Sequence, residues 1–131
     1  MEYIPKVYHS EDFRLLKNIN FNVIFLKNIK KISKSCKFEI CGGVTSKKMF
    51  LWPNKSLNPK KGFFVDPLKY CKITDEIQYF FHSHPFSSAK PSEIDLIGSE
   101  EINKPFLIYS NIENNFCFYS PKHKKSIYFC I

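Results

Sequence analysis

The apolar residues of this chain are grouped in short runs, most of which are followed by glycine, proline, asparagine or aspartate. Runs of this length favour β-strands, since a strand in a globular protein usually holds only about five residues. We expect strands at residues 38–44, 49–52, 63–65, 77–81, 106–110, 115–119 and 128–131. The predicted fold is therefore built on a β-sheet.

Two other segments show the pattern of helices. Apolar residues recur at helical spacing through the lysine-rich residues 21–35, and residues 10–12 offer an N-terminal cap for this helix. Residues 92–102 begin with a capping sequence and predict a second helix. Strands combined with a few helices indicate an α/β (α+β) domain, with a mixed sheet flanked by helices.

Length and composition fit one domain. The 131 residues are 44% hydrophobic and 17% aromatic, which is enough to build a core over residues 1–131 without disulfides. The five cysteines are an odd number and form no C-x-x-C pair, so we expect free thiols in a reducing compartment. No apolar run approaches the roughly 20 residues of a membrane span, and the N-terminus lacks the features of a signal peptide. The expected location is the cytoplasm.

The formal net charge of +8 raises the question of nucleic-acid binding. Of the 20 basic residues, 19 are lysines spread over the whole chain, and Arg14 is the single arginine. Proteins that read bases or phosphates favour the bidentate guanidinium group. We therefore do not expect nucleic acid to be the main partner, and we expect no membrane partner.

Chemistry-bearing residues are concentrated directly after the predicted strand 77–81. Residues two apart on a strand point to the same face, so His82 and His84 can present two imidazoles to one point. Asp95, on the following helix, can supply a third ligand and leave the fourth tetrahedral position open for water. This pattern is typical of a catalytic zinc site. On its own, however, Ser92-x-x-Asp95 also fits an ordinary capping box.

The segment His82-Ser83-His84-Pro85, followed by Ser-x-x-Asp ending at Asp95 with seven residues between His84 and Ser92, resembles the motif of JAMM zinc metallopeptidases, also called JAB or MPN-plus. The family motif also has an upstream glutamate, and Glu39 stands in that place within Glu-x-Cys-Gly. The resemblance extends over about residues 20–120 and includes Asn54 and residues 64–67 and 105–110.

The resemblance implies a single MPN domain of the cytidine-deaminase-like kind, in which His82, His84 and Asp95 bind Zn²⁺. It further implies that Glu39 acts as general base and that Ser92 stabilises the oxyanion of the tetrahedral intermediate. The implied activity is hydrolysis of a peptide or isopeptide bond by a water molecule that zinc activates. Cys41 has no histidine–asparagine partners at the spacing of a thiol protease, and Ser83 is expected to be an ordinary strand residue.

Within this family the chain is most similar to small prokaryotic and viral members. The JAMM domain of lambda-type phage tail-tip assembly proteins is the favoured comparison, which implies tail proteins as substrates or partners, a separate NlpC-type peptidase, and a location in the host cytoplasm and the virion tail. A cellular peptidase that trims ubiquitin-like or sulfur-carrier proteins is the alternative enzyme. A structural docking module that keeps the fold is the alternative from a different class.

Overall fold

The computed structural model describes residue 19 and residues 21–131. The predicted cap at residues 10–12 lies outside these described residues. The elements, in chain order, are α1 (Val23–Lys34), β1 (Cys41–Thr45), β2 (Met49–Trp52), β3 (Ile77–His84), α2 (Glu93–Ile102), β4 (Phe106–Ser110), β5 (Asn115–Ser120) and β6 (Lys125–Phe129). Two short 3₁₀ helices, Pro67–Lys69 and Thr74–Glu76, precede β3.

The six strands form one mixed sheet in the order β2-β1-β3-β4-β5-β6. The strands β3 and β4 are parallel, and α2 connects them as a crossover helix. The other neighbouring strands are antiparallel. This topology places the end of β3 in the middle of the sheet, where it has neighbours on both sides.

The two faces of the sheet pack against different parts of the chain. One face packs against α1, whose Leu26 and Ile29 are fully buried against Tyr79 and Phe81 of β3. Phe80, which alternates with them, points to the opposite face and joins a smaller cluster. That second face also carries both histidines of β3 and is covered by α2 and the loops, so it is the face on which a site can form.

Local sequence explains why α1 begins and ends where it does. Asn22 caps the helix, because its side chain accepts a hydrogen bond of 2.8 Å from the Ile24 N–H. Lys31 and Lys34 lie in the last turn, where positive charge stabilises the helix dipole. Within the residues that the structure describes, no helix is both long enough and apolar enough to cross a membrane.

The structure confirms the predicted mixed sheet flanked by helices, and it corrects the bounds of several elements. The expected strand at 63–65 is wrong: Phe64 belongs to a loop, where its N–H donates to the Asn54 side chain. The first strand begins at Cys41 and not at residue 38, because the Glu39 N–H bonds to the Pro59 carbonyl in the same loop. The last strand, expected at 128–131, is Lys125–Phe129, which pairs with β5.

Candidate metal centre

His82 and His84 occupy the end of β3, on the face opposite α1. Both side chains are buried, His82 completely, and their ring centroids lie 5.1 Å apart. The alternation of the strand therefore brings the two imidazoles together, as the sequence predicts. Their Nε2 atoms are directed at the same carboxylate group.

That carboxylate belongs to Asp95 in the first turn of α2. Its Oδ1 lies 3.0 Å from Nε2 of His82, and its Oδ2 lies 3.1 Å from Nε2 of His84. The contacts with the two histidines lower the pKa of Asp95, although burial opposes this shift. Asp95 is therefore ionised and faces two imidazole nitrogens at once. We call His82, His84 and Asp95 the His–Asp cluster.

Ser92 and Asp95 also form a capping box, so the two interpretations of Ser-x-x-Asp hold together. The Ser92 Oγ accepts from the Asp95 N–H at 3.1 Å, and the Ser92 N–H donates to Asp95 Oδ2 at 2.9 Å. The cap thus fixes the carboxylate that faces the histidines. The Ser92 side chain is exposed and borders a cleft beside the cluster.

The tautomer of His84 follows from its second ring nitrogen. Nδ1 lies 2.7 Å from the Ser88 carbonyl oxygen, which can only accept a hydrogen bond. Nδ1 therefore carries a proton, and Nε2 is the ring nitrogen that faces Asp95 and that a metal could use. The loop with Ser88 is held in turn by the Ser110 hydroxyl, which donates to the Ser87 carbonyl at 2.7 Å. Burial lowers the pKa of His84, but the hydrogen bonds with Asp95 and Ser88 outweigh it and raise the pKa overall.

His82 has a different environment. Neither of its buried ring nitrogens has a partner in hydrogen-bond geometry, despite the short distance to Asp95. Burial lowers the pKa of His82, so the ring is neutral near pH 7. Phe63 stacks on this ring at a centroid distance of 4.3 Å and fixes its plane. A metal ligand requires a neutral imidazole with one ring nitrogen that makes no hydrogen bond, and His82 meets both conditions.

Glu39 is the second buried carboxylate of the site. It offers an oxygen to a group with one ring nitrogen each of His82 and His84, and these three atoms all lie within 4.8 Å of one another. Burial raises the pKa of Glu39 to about 8, partly offset by His84 and reinforced by Asp95. A divalent cation nearby would lower the pKa of Glu39, because it stabilises the ionised carboxylate.

Two hydrogen-bonded contacts place the Glu39 segment. The Asn54 Nδ2 donates to the Glu39 carbonyl at 2.9 Å, and the Ser83 Oγ accepts from the Ile40 N–H at 2.9 Å. Ser83 lies between the two histidines, on the other face of the strand. It therefore ties the glutamate segment directly to the strand that carries the cluster.

The donor set fits zinc. At metal distances of about 2.05 Å, the ligand atoms of a tetrahedral site are roughly 3.3 Å apart. In the His–Asp cluster each imidazole nitrogen has a different oxygen of Asp95 near this distance, Oδ1 at 3.0 Å from His82 and Oδ2 at 3.1 Å from His84. Glu39, His82 and His84 form a second set that could hold a metal ion.

Three contributors to the site have no signal of their own in the sequence. The sequence predicts Phe63 on a strand and Ser83 as an ordinary strand residue, and Asn54 stands out only through the family resemblance. Their contacts with His82, Ile40 and Glu39 join segments that are distant in the chain. The pattern of neighbouring residues in the sequence cannot predict contacts between segments that are distant in the chain.

Comparison with known proteins addresses the fold. No protein-family model matches the sequence, and no curated protein gives a significant match. Among solved structures, the chain is similar to the protein DSY2949 from Desulfitobacterium hafniense, with a TM-score of 0.56 and 17% identity over 76% of this chain and 82% of that one. It is also similar to AF2198, a JAB1/MPN domain protein from Archaeoglobus fulgidus, with a TM-score of 0.54 and 22% identity. This match covers 81% of this chain and 92% of AF2198. The chain thus has the fold of a JAB1/MPN domain.

Proposed function

We propose that this protein is a zinc-dependent metallopeptidase that hydrolyses a peptide or isopeptide bond. One observation carries the proposal: two buried imidazoles and the ionised Asp95 converge at the end of β3, with the buried carboxyl of Glu39 beside them. Three protein ligands with a further acid–base group are the pattern of catalytic zinc sites. The similarity of the fold to a JAB1/MPN domain supports the same class.

In this proposal His82, His84 and Asp95 would hold the metal, which would act as a Lewis acid and make water nucleophilic near neutral pH. Glu39 takes a proton from the attacking water and returns it to the leaving amine. A carboxyl that burial brings to a pKa near the working pH is suited to both transfers. Ser92 borders the open side of the site, where its hydroxyl can donate to the oxyanion that develops on the substrate.

The proposed substrate is a protein. We favour a phage tail-tip assembly role, with a tail protein as substrate and an NlpC-type peptidase as partner. Trimming of a ubiquitin-like or sulfur-carrier protein, or a docking role without catalysis, would use the same fold. Neighbouring genes distinguish these roles: tail-tip and NlpC genes support the first, and ubiquitin-like or sulfur-carrier genes support the second.

The metal is tested by elemental analysis of the purified chain. We expect about one zinc per chain in the wild type and loss of most of it in His84→Ala, because this change removes one of three ligands. His123→Ala is the matched control, since His123 is exposed, and it should keep the metal. A wild-type chain that takes up no zinc would overturn the site.

The base is tested with Glu39→Gln, which keeps size and polarity and removes the proton acceptor. Zinc content should stay near one per chain, while cleavage of a co-expressed tail or ubiquitin-like protein at one defined bond should fall roughly a hundredfold or more. Glu93→Gln, an exposed change in α2, is the control and should cleave like the wild type. Zinc loss in Glu39→Gln would make Glu39 a ligand, and full activity would remove it from the mechanism.

A further inference from the structure

An open cleft of about 590 Å³ adjoins the His–Asp cluster. Asp95 and Ser92 border one part of it. The rest of the lining includes the charged Lys61 and Glu101 and five aromatic residues, Phe63, Phe64, Tyr70, Phe80 and Phe106. Phe63 belongs to both places, since it also stacks on His82. The cleft is thus continuous with the proposed reaction centre, and its lining is more apolar than polar.

Gly98 leaves this cleft open. It lies in the interior of α2, where glycine is less favourable than alanine, and it lines the cleft. A Cβ at this position would make only ordinary contacts, the nearest being 3.6 Å from the ring of Phe106. Packing does not exclude a side chain here. The absence of a side chain at Gly98 leaves this part of the cleft open.

The mouth of the cleft also carries apolar side chains that water reaches. Phe64 is 56% exposed and Ile94 is 79% exposed, and the two residues come from the loop and from α2. Exposed apolar groups around a concave apolar site are typical of a surface that a ligand covers.

We propose that the cleft binds one large apolar side chain, aromatic or long aliphatic, of a polypeptide that lies across the His–Asp cluster. The cleft then selects the residue next to the bond that is cleaved. This inference rests on the proposed function for the identity of that bond, but the binding itself requires no cleavage. An apolar side chain would bury its surface against the aromatic lining, which favours binding by the hydrophobic effect.

The test measures binding to the full chain by amide NMR, with two probes: acetyl-Gly-Gly-Phe-Gly-Gly-amide and its alanine counterpart. We expect the phenylalanine peptide to bind roughly tenfold more tightly, in line with burial of one aromatic side chain. It should shift the amide signals of Gly62, Gly98 and Ile102, which line or adjoin the cleft. Equal affinity for the two peptides, or no shift with either at millimolar concentration, would overturn the proposal.

Variants locate the binding. Gly98→Leu puts a side chain into the cleft and should weaken binding of the phenylalanine peptide at least fivefold, whereas Gly98→Ala should bind within about twofold of wild type. If Gly98→Leu does not fold, Ile94→Asp replaces it in the binding test, because Ile94 lines the cleft and is exposed. Ile112→Asp is the control for this variant, since Ile112 is also exposed and apolar but does not line the cleft. Wild-type binding by a folded Gly98→Leu or by Ile94→Asp would contradict the assignment.

The two proposals can fail separately. If Glu39→Gln cleaves like the wild type while the phenylalanine preference persists, the proposed mechanism is wrong and the cleft assignment stands. If zinc depends on His84 and cleavage depends on Glu39 but both peptides bind equally, only the cleft assignment is wrong.

Discussion

Ser83 serves the candidate site from the face of the sheet that points away from it. Its hydroxyl accepts from the Ile40 N–H, and its own N–H donates to the Ile40 carbonyl at 3.1 Å. Both bonds hold the chain just after Glu39 against the strand that carries His82 and His84. The serine between the histidines thus helps to position the buried carboxylate.

The buried and the exposed cysteines should differ in the reactivity of their thiols. Burial, reinforced by the charge of Glu39, raises the pKa of Cys41 to about 12, and burial raises that of Cys117 to about 11. Since the thiolate is the nucleophile, both should react with iodoacetamide at pH 8 at least a hundredfold more slowly than the exposed Cys71 and Cys130. Mass spectrometry of the alkylated peptides measures this, with the unfolded chain as control.

In the unfolded chain the protection should disappear, because it comes from the tertiary structure. Rapid alkylation of Cys41 in the folded protein would contradict the buried position next to the site, and it would reopen the possibility that this thiol takes part in chemistry.

Among the elements, β1 depends on the absence of a side chain at Gly42. A Cβ there would lie 1.9 Å from the Phe50 carbonyl oxygen and 2.4 Å from the ring of Phe81. We expect Gly42→Ala to lower the free energy of unfolding by about 3 kcal/mol, because strand backbone and a core ring must move. Urea denaturation measures the change. Gly62→Ala is the control, since its nearest neighbour would be 3.8 Å away; a similar loss in both would refute the steric reason.

The loop between β2 and the first 3₁₀ helix depends on Asn54. Its Nδ2 donates to the carbonyls of Glu39 and Gly62, and its Oδ1 accepts from the N–H groups of Ser56 and Phe64, all at 2.9–3.1 Å. These four bonds use both N–H donors and both acceptor lone pairs of the amide side chain. The loop is therefore folded around one side chain that also fixes the Glu39 segment.

We expect Asn54→Ala to lower the free energy of unfolding by about 2 kcal/mol, since each net hydrogen bond contributes about 0.5–1.5 kcal/mol and part of the loss is regained by water. Asn58→Ala, at an exposed position of the same loop, should change it by less than about 0.5 kcal/mol. Thermal and urea unfolding measure both variants. If the two variants lose the same stability, Asn54 does not organise the loop.

In the molecule as a whole, the two faces of the sheet bury different kinds of side chain. The α1 face holds the larger apolar core, while the other face buries two imidazoles and two carboxylates in a small volume. Buried polar groups without full hydrogen bonding cost free energy, and His82 is the clearest instance. A bound cation would remove this cost and stabilise the native state alone.

Zinc should therefore raise the melting temperature. At a free concentration about a hundred times Kd, binding contributes about 2.7 kcal/mol, which for a chain of this size corresponds to roughly 10 °C. Differential scanning fluorimetry with zinc and then with EDTA measures the shift and its reversal. His84→Ala should show little shift, and a wild-type protein that is indifferent to zinc would contradict the proposed centre.

Local sequence was sufficient for features that depend on neighbours in the chain. The alternation of β3 predicts that His82 and His84 share a face, and the capping sequence predicts where α2 begins. Both follow from the backbone geometry of a single element, so no distant residue is needed. The mixed sheet flanked by helices follows in the same way from the order of short apolar runs and helical patterns.

The tertiary structure decided what lies beside those residues. The register Cys41↔His82 between β1 and β3 brings Glu39 to the histidines, and it is set by pairing between segments about 40 residues apart. Residues 63–65 have the sequence pattern of a strand, yet the Asn54 side chain accepts a hydrogen bond from the Phe64 N–H. Phe63 stacks on His82 and also lines the cleft. Such long-range hydrogen bonds and ring contacts override local propensity, because they form only after the chain has folded.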